Sequence, residues 1–172
     1  MNKNPKIGII MGSDSDLEIM SEAAKICEEF DVDYEINVIS AHRSPMLAHE
    51  YISQVKARGL KIIIAGAGGA AHLAGVSASL TTLPVIGVPV KAKTLDGLDS
   101  LLSTVNMPPG VPVATVGINA AKNAGLLAMQ ILATFDVNVS QKLEEYKHKM
   151  ASEIGAKNKK LSEIGFKKYL EK

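Results

Sequence analysis

Residues 61–90 read KIIIAGAGGAAHLAGVSASLTTLPVIGVPV, and two strand-length runs within them, 61–65 and 84–90, decide the fold. Neither run alternates apolar with polar residues, as a strand with one wet face would. Strands that are apolar along their length belong to a parallel sheet covered by helices on both faces. The segment between the runs fits that reading. GAGGAAHLAG opens as a loop of glycine and small residues and continues as a short helix through Leu80, so strand, crossover helix and second strand make one parallel unit.

The alternation continues outward in both directions, with glycine or proline at each change. Upstream, 6–11 reads as a strand, GSDSD as a loop, 17–30 as an amphipathic helix and 34–39 as a second strand. SAHRSP follows, and Pro45 is placed to start a helix that runs to about 58 and stops at Gly59. Downstream, 95–105 reads as helix, 111–117 as a fifth strand and 120–135 as a long helix. The pattern predicts an α/β fold: a flavodoxin-like, doubly wound, parallel five-stranded sheet with a C-terminal helical extension. In that strand order the first and third strands flank the topological switch point, where ligands bind. GSDSD, SAHRSP and GAGGAAH follow strands one, two and three, so all three loops are expected to converge there.

A chain of 172 residues, 47% hydrophobic and 22% charged, suits one compact domain. The lone Cys27 allows no internal disulfide and no cleavable signal opens the chain, so a cytoplasmic location is expected. No apolar run reaches the roughly 20 residues of a membrane span. Residues 1–139 carry 10 basic against 13 acidic side chains, and residues 140–172 carry 9 Lys against 5 Glu. The division expected is a catalytic domain over 1–139 and a lysine-rich helical tail over 140–172, packed in the same domain or on a neighbouring subunit. With a net charge of +1 and no aromatic interleaving in the tail, no nucleic acid is expected as partner. The helix over 120–135 is small or apolar around most of its circumference. Either another subunit or the tail must cover it.

Each of the three loops has a chemical and a structural reading. GSDSD offers backbone N–H groups at a helix start, with the hydroxyls of Ser13 and Ser15, all suited to a phosphate. Asp16 suits the hydroxyls of a ribose, yet Ser13 and Asp16 also have capping-box spacing. In SAHRSP, Arg43 can grip a phosphate bidentately and Ser40 adds a hydroxyl. Beside them His42 is the candidate proton carrier near neutral pH. In the third loop Gly69, Ala70, Ala71, His72 and Leu73 present little side chain, so a flat ring can approach the backbone. His72 can hydrogen-bond a ligand or cap the helix it opens. Close packing of strand on helix would need the glycines equally. There is no GxxxxGK[ST] phosphate loop and no metal-ligand spacing.

Taken in chain order, GSDSD at 12–16, SAHRSP at 40–45, GAGGAAHL at 66–73, PVIGVPV at 84–90, LDGLDSLLSTVNMPPGVPVATV at 95–116 and NAGLLAMQIL at 123–132 resemble one family. It is the class I phosphoribosylaminoimidazole carboxylase catalytic subunit family, in its N5-carboxyaminoimidazole ribonucleotide mutase form. The resemblance implies an isomerase of purine synthesis that moves a carboxylate from the exocyclic nitrogen of an aminoimidazole ribonucleotide to ring carbon four, without a cofactor. It implies a homo-octamer, functionally linked to an ATP-dependent synthetase that makes the substrate. By the same resemblance His42 is the general acid and base, and Ser13, Asp16 and Arg43 bind substrate with Ser15 and Ser40 at the phosphate. Gly69, Ala70, Ala71, His72 and Leu73 form the wall around imidazole and carbon dioxide. Departures are Ser44, Ala74 and Asn106, where the family often has Thr, Pro and Gln. A direct carboxylase using carbon dioxide and a non-catalytic nucleotide-binding module are the alternative functions.

Overall fold

The computed structural model describes residues 4–171. Five strands, β1 (Ile7–Met11), β2 (Tyr34–Val38), β3 (Ile62–Gly68), β4 (Val85–Val90) and β5 (Ala114–Thr115), form one sheet in the order β2-β1-β3-β4-β5. Every neighbouring pair is parallel. This is the expected flavodoxin-like order.

Side chains alternate across the sheet and build two cores. Ile7, Ile9 and Met11 of β1, with Ile62, Ile64, Ile86 and Val88, face α1 (Leu17–Glu29) and α5 (Ala121–Ala133). Ile10, Ile63, Ala65 and Val85 face α2 (Pro45–Gln54) and α3 (Leu73–Leu80) on the other side. Each fully buried isoleucine contributes about 1.5–3 kcal/mol of transfer free energy, which accounts for runs such as III at 62–64. No helix among the described residues is long and apolar enough to cross a membrane.

The structure moves several boundaries. β3 does not end at Ala65: Gly66, Ala67 and Gly68 continue the ladder against Val88, Pro89 and Val90 of β4. The first half of the third motif is therefore strand, not loop, and a Cβ at Gly66 would force the Met20 side chain, whose sulfur lies 2.2 Å away, to move. α2 ends at Gln54, four residues early, before a turn that closes on Gly59 with φ +92°. Only Ala114 and Thr115 of the fifth run pair as strand. Ahead of it, α4 spans Leu98–Val105.

Part of the covering of α5 is internal. Ala121, Ala124, Gly125, Ala128, Met129 and Leu132 are buried, and the helix lies between α1, the sheet and α6 (Val137–Leu170). Asp136 caps α6 by accepting from the Asn138 and Val139 amides. Val139 and Leu143 are buried against the core, and Lys142 Nζ donates to the Phe30 carbonyl at 3.0 Å and to Asp31 Oδ2 at 2.6 Å. Within one chain the tail thus covers one side of α5, and Leu126, Leu127 and Ile131 stay only partly buried. Exposed apolar side chains include Leu98, Leu102 and Val105, which share α4, as well as Met46 and Leu47 at the start of α2 and Phe135 and Val137 at the junction of α5 and α6.

α1 and α5 approach so closely at Gly125 that a Cβ there would lie 3.2 Å from the Ala23 backbone, whereas Gly155 on α6 has open space. Gly125→Ala is expected to destabilise the protein by about 1–3 kcal/mol in chemical denaturation through overpacking. Gly155→Ala, which only improves helix propensity, is expected to leave the midpoint unchanged or higher. Equal effects of the two would refute this packing account.

Candidate active site

The loop after β1 turns through a short 3-10 segment, Asp14–Asp16, into α1. Ser13 holds extended backbone, and its hydroxyl accepts from the Ser15 amide at 3.4 Å. Ser13 and Ser15 line the crevice at this helix start, the arrangement that receives an anion, and their hydroxyls donate to Asp14 Oδ1 at 3.1 Å and Asp16 Oδ1 at 3.3 Å. Asp16 is only 8% exposed. Burial pushes its carboxyl above the usual range, while hydrogen bonds from the Ser15 hydroxyl and the Ser13 amide and the charge of Arg43 pull it back. Part of the capping box is therefore real. A charged carboxylate is nonetheless held here against a desolvation cost.

The loop after β2 is folded on itself by serine. The Ser44 hydroxyl donates to the Ser40 carbonyl at 2.9 Å and accepts from the Ser40 amide at 3.3 Å. The Ser40 hydroxyl accepts from the Arg43 amide at 3.1 Å and from Arg43 Nε at 3.3 Å. Arg43 Nη2 then reaches across to donate to the Gly12 carbonyl at 2.6 Å. The guanidinium is thereby fixed over the first loop, its charge beside the Ser13 and Ser15 donors. Ser44, a departure from the family pattern, keeps the hydroxyl this loop requires.

The third loop meets the second through two imidazoles. His42 Nε2 lies 2.8 Å from His72 Nδ1, with the rings edge to face at 4.9 Å between centroids. One nitrogen must donate and the other accept, so a single proton sits in the bridge. His72 opens α3 but makes no side-chain cap; its ring faces the crevice and bonds to His42. Gly69 turns the chain at φ +65°, a conformation that costs other residues about 1–2 kcal/mol, and the amides of Ala71 and His72 close on the carbonyls of Gly69 and Ala70.

Ser13, Ser15, Asp16, Ser40, His42, Arg43, Ala70, His72 and Leu73 line one crevice of about 380 Å³. Gly69 and Ala71 do not line it; Gly69 forms the turn behind the wall, and Ala71 is buried. The crevice gains Gly12, Ala41, Ala67, Gly68 and Ala92. Gly68 and Ala67 lay inside a quoted motif, but Ala92, just past β4, carried no signal of its own. A larger hollow of about 870 Å³ lies beside Lys6 and Lys61, at the amino ends of β1 and β3. Its mixed Lys, Asp and Glu lining has no histidine, the start of α6 that borders it is already capped by Asp136, and α/β sheets bind ligands at the opposite edge.

The family model for AIR carboxylase matches residues 6–153. The chain belongs to the AIR carboxylase family. Within the AIR carboxylases it is 61% identical to the N5-carboxyaminoimidazole ribonucleotide mutase of Pyrococcus abyssi over 97% of this chain and 96% of that one. It is 58% identical to the mutase of Thermotoga maritima over 96% and 97%. It is also 53% identical to the phosphoribosylaminoimidazole carboxylase of Candida glabrata, where it covers 98% of this chain but 30% of that protein. In three dimensions it is similar to a crystal structure of Treponema denticola PurE, with TM-score 0.83, 26% identity and coverage of 94% and 99%.

The buried Asp16 gives a pH prediction. Its carboxyl is raised in the folded state, so the folded protein binds more protons there and loses stability as pH rises from the unfolded value near 3.8 through the folded one. Asp16→Asn is expected to melt higher than the parent at neutral pH, with the gap closing toward pH 3 to 4, while binding ribonucleotide more weakly. A variant that melts lower at pH 7 would show that the carboxylate stabilises the fold.

Proposed function

We propose that the protein is an isomerase of purine synthesis that converts N5-carboxyaminoimidazole ribonucleotide to 4-carboxyaminoimidazole ribonucleotide. The observation that carries this reading is the hydrogen-bonded pair of His42 and His72 across the crevice from the Arg43-clamped anion loop. The pair offers a hydrogen-bonded imidazole proton, and the loop offers an anchor for the phosphate of a substrate whose ring then reaches the imidazoles.

In this reading Ser13, Ser15, Ser40 and Arg43 bind phosphate, and Asp16 accepts hydrogen bonds from the ribose hydroxyls. His42 protonates the exocyclic nitrogen of the carbamate, the nitrogen–carbon bond breaks, and carbon dioxide leaves. Carbon four of the aminoimidazole, made nucleophilic by its enamine character, attacks the trapped carbon dioxide. His42 then removes the proton from carbon four, so the enzyme ends as it began. His72 fixes the orientation of His42 through their shared proton. Ala70, His72 and Leu73, with Ala67 and Ala92, keep carbon dioxide beside the ring, while Gly69 and Ala71 shape the turn behind them; recapture is then effectively intramolecular. The steps balance without a cofactor.

The direct carboxylase is the second reading, favoured by relatives such as that of Candida glabrata. Supplying each substrate in the absence of ATP separates the two. The isomerase turns over the carbamate without added bicarbonate; the carboxylase turns over the aminoimidazole ribonucleotide with bicarbonate at least as readily. The reading places the protein in the cytoplasm as a homo-octamer, and the exposed apolar stripe on α4 suits a subunit contact. It also places the protein after an ATP-dependent synthetase, because the carbamate must be made from the amine and bicarbonate at the expense of a phosphoanhydride.

His42→Asn is expected to lower kcat by about two to four powers of ten, the range of general acid–base catalysis, with KM changed by less than tenfold. Arg43→Ala is expected to raise KM by about 10- to 100-fold, as loss of a charge-assisted hydrogen bond does. Steady-state kinetics checks both, and a His42→Asn enzyme as active as the parent would exclude this mechanism.

A further inference from the structure

The third loop is not held by its own strand and helix alone. Ser100, on the first turn of α4, is fully buried, and its hydroxyl makes two bonds that leave the helix. It accepts from the Gly69 amide at 2.8 Å and donates to the Val90 carbonyl at 2.7 Å. The neighbouring Ser103 hydroxyl approaches the Gly69 carbonyl at 3.4 Å while bonding chiefly to Asp99 within the helix. A buried serine in a helix ordinarily returns its hydroxyl to the helix's own backbone. Thr104 on the same helix does so, donating to the Ser100 carbonyl at 2.8 Å.

We propose that Ser100 is a positioning residue for the reaction, pinning the Gly69 turn so that Ala70 and His72 face the trapped carbon dioxide and His42. The pin joins the end of β4 to the one residue of the turn with left-handed backbone. From Gly69 the chain takes three residues to reach the imidazole that touches His42. Removing the hydroxyl leaves the half-buried Gly69 amide without its acceptor and the Val90 carbonyl without this donor, and the turn must shift to bring water to them. The anion loop is tied to β1 and the second loop, not to α4, so phosphate binding is untouched. The proposal rests on the isomerase reading for its chemistry.

The test compares Ser100→Ala with Thr104→Val, which also removes a buried hydroxyl from α4 but only an intrahelical bond. Each is assayed on the carbamate substrate in medium containing carbon-13 bicarbonate. Ser100→Ala is expected to lower kcat about 10- to 100-fold, the effect of a misplacement of about 1 Å, with KM within threefold. Its product should also carry more label from the medium, because carbon dioxide escapes before recapture. Thr104→Val should match the parent in both. Equal label and turnover in Ser100→Ala and the parent, or equal losses in the two variants, would overturn the proposal. If Ser100→Ala does not fold, hydrogen exchange in the parent decides. A Gly69 amide protected from exchange supports the pin, and one exchanging at the free rate refutes it. A parent inactive on both substrates would strike the isomerase reading instead, leaving the Gly69 exchange rate to judge the pin.

Discussion

Parallel strands β1 and β3 lie side by side, but their crossovers leave to opposite faces of the sheet, α1 to one and α3 to the other. The two loops therefore diverge at the carboxyl edge and open a crevice that neither could make alone. Every feature of the site depends on this constraint. It puts a helix start on one wall and a glycine turn on the other. β2, at the sheet's edge beside β1, delivers the second loop between them.

The site is held by serine hydroxyls bonded to backbone rather than by ion pairs. Ser44 folds the second loop, Ser40 positions Arg43, and Ser100 reaches the third loop from α4. Such bonds are directional and contribute modestly to stability, about 0.5–1.5 kcal/mol each, so they serve geometry more than cohesion. Cohesion comes from the two isoleucine-rich cores beneath. Asp16 runs the other way, as a carboxylate kept in a buried position that raises it. A fold with so large an apolar interior tolerates that cost, and the proposed ribose hydrogen bond gives the carboxylate its use.

The sheet was legible because its signal is local and dense. Runs such as 62–64 and 84–90 name a two-faced parallel sheet, and glycine and proline mark their ends. The convergence of three loops followed from strand order alone. The extension of β3 through Gly66 was not legible, since glycine ordinarily reads as loop and the ladder that makes it strand is with Val88, Pro89 and Val90 of β4. The covering of α5 was open because an all-apolar helix cannot say whether its cover is a tail or a partner. Here Lys142 and Leu143 bring the tail onto the core. The bond between His42 and His72, and the reach of Ser100, join residues about 30 apart. Neither periodicity nor spacing encodes such a pairing; only the coordinates do.

The central claim is that a nucleotide phosphate and a pair of imidazoles act on one molecule in one crevice. A crystal structure with aminoimidazole ribonucleotide bound tests it most directly. The account predicts a phosphate oxygen within about 3 Å of the Arg43 guanidinium and ring carbon four facing His42, with small residues of the third loop closing the space beyond. A nucleotide seated in the hollow at the amino ends of β1 and β3, or one in the crevice with its ring turned away from both histidines, would contradict it.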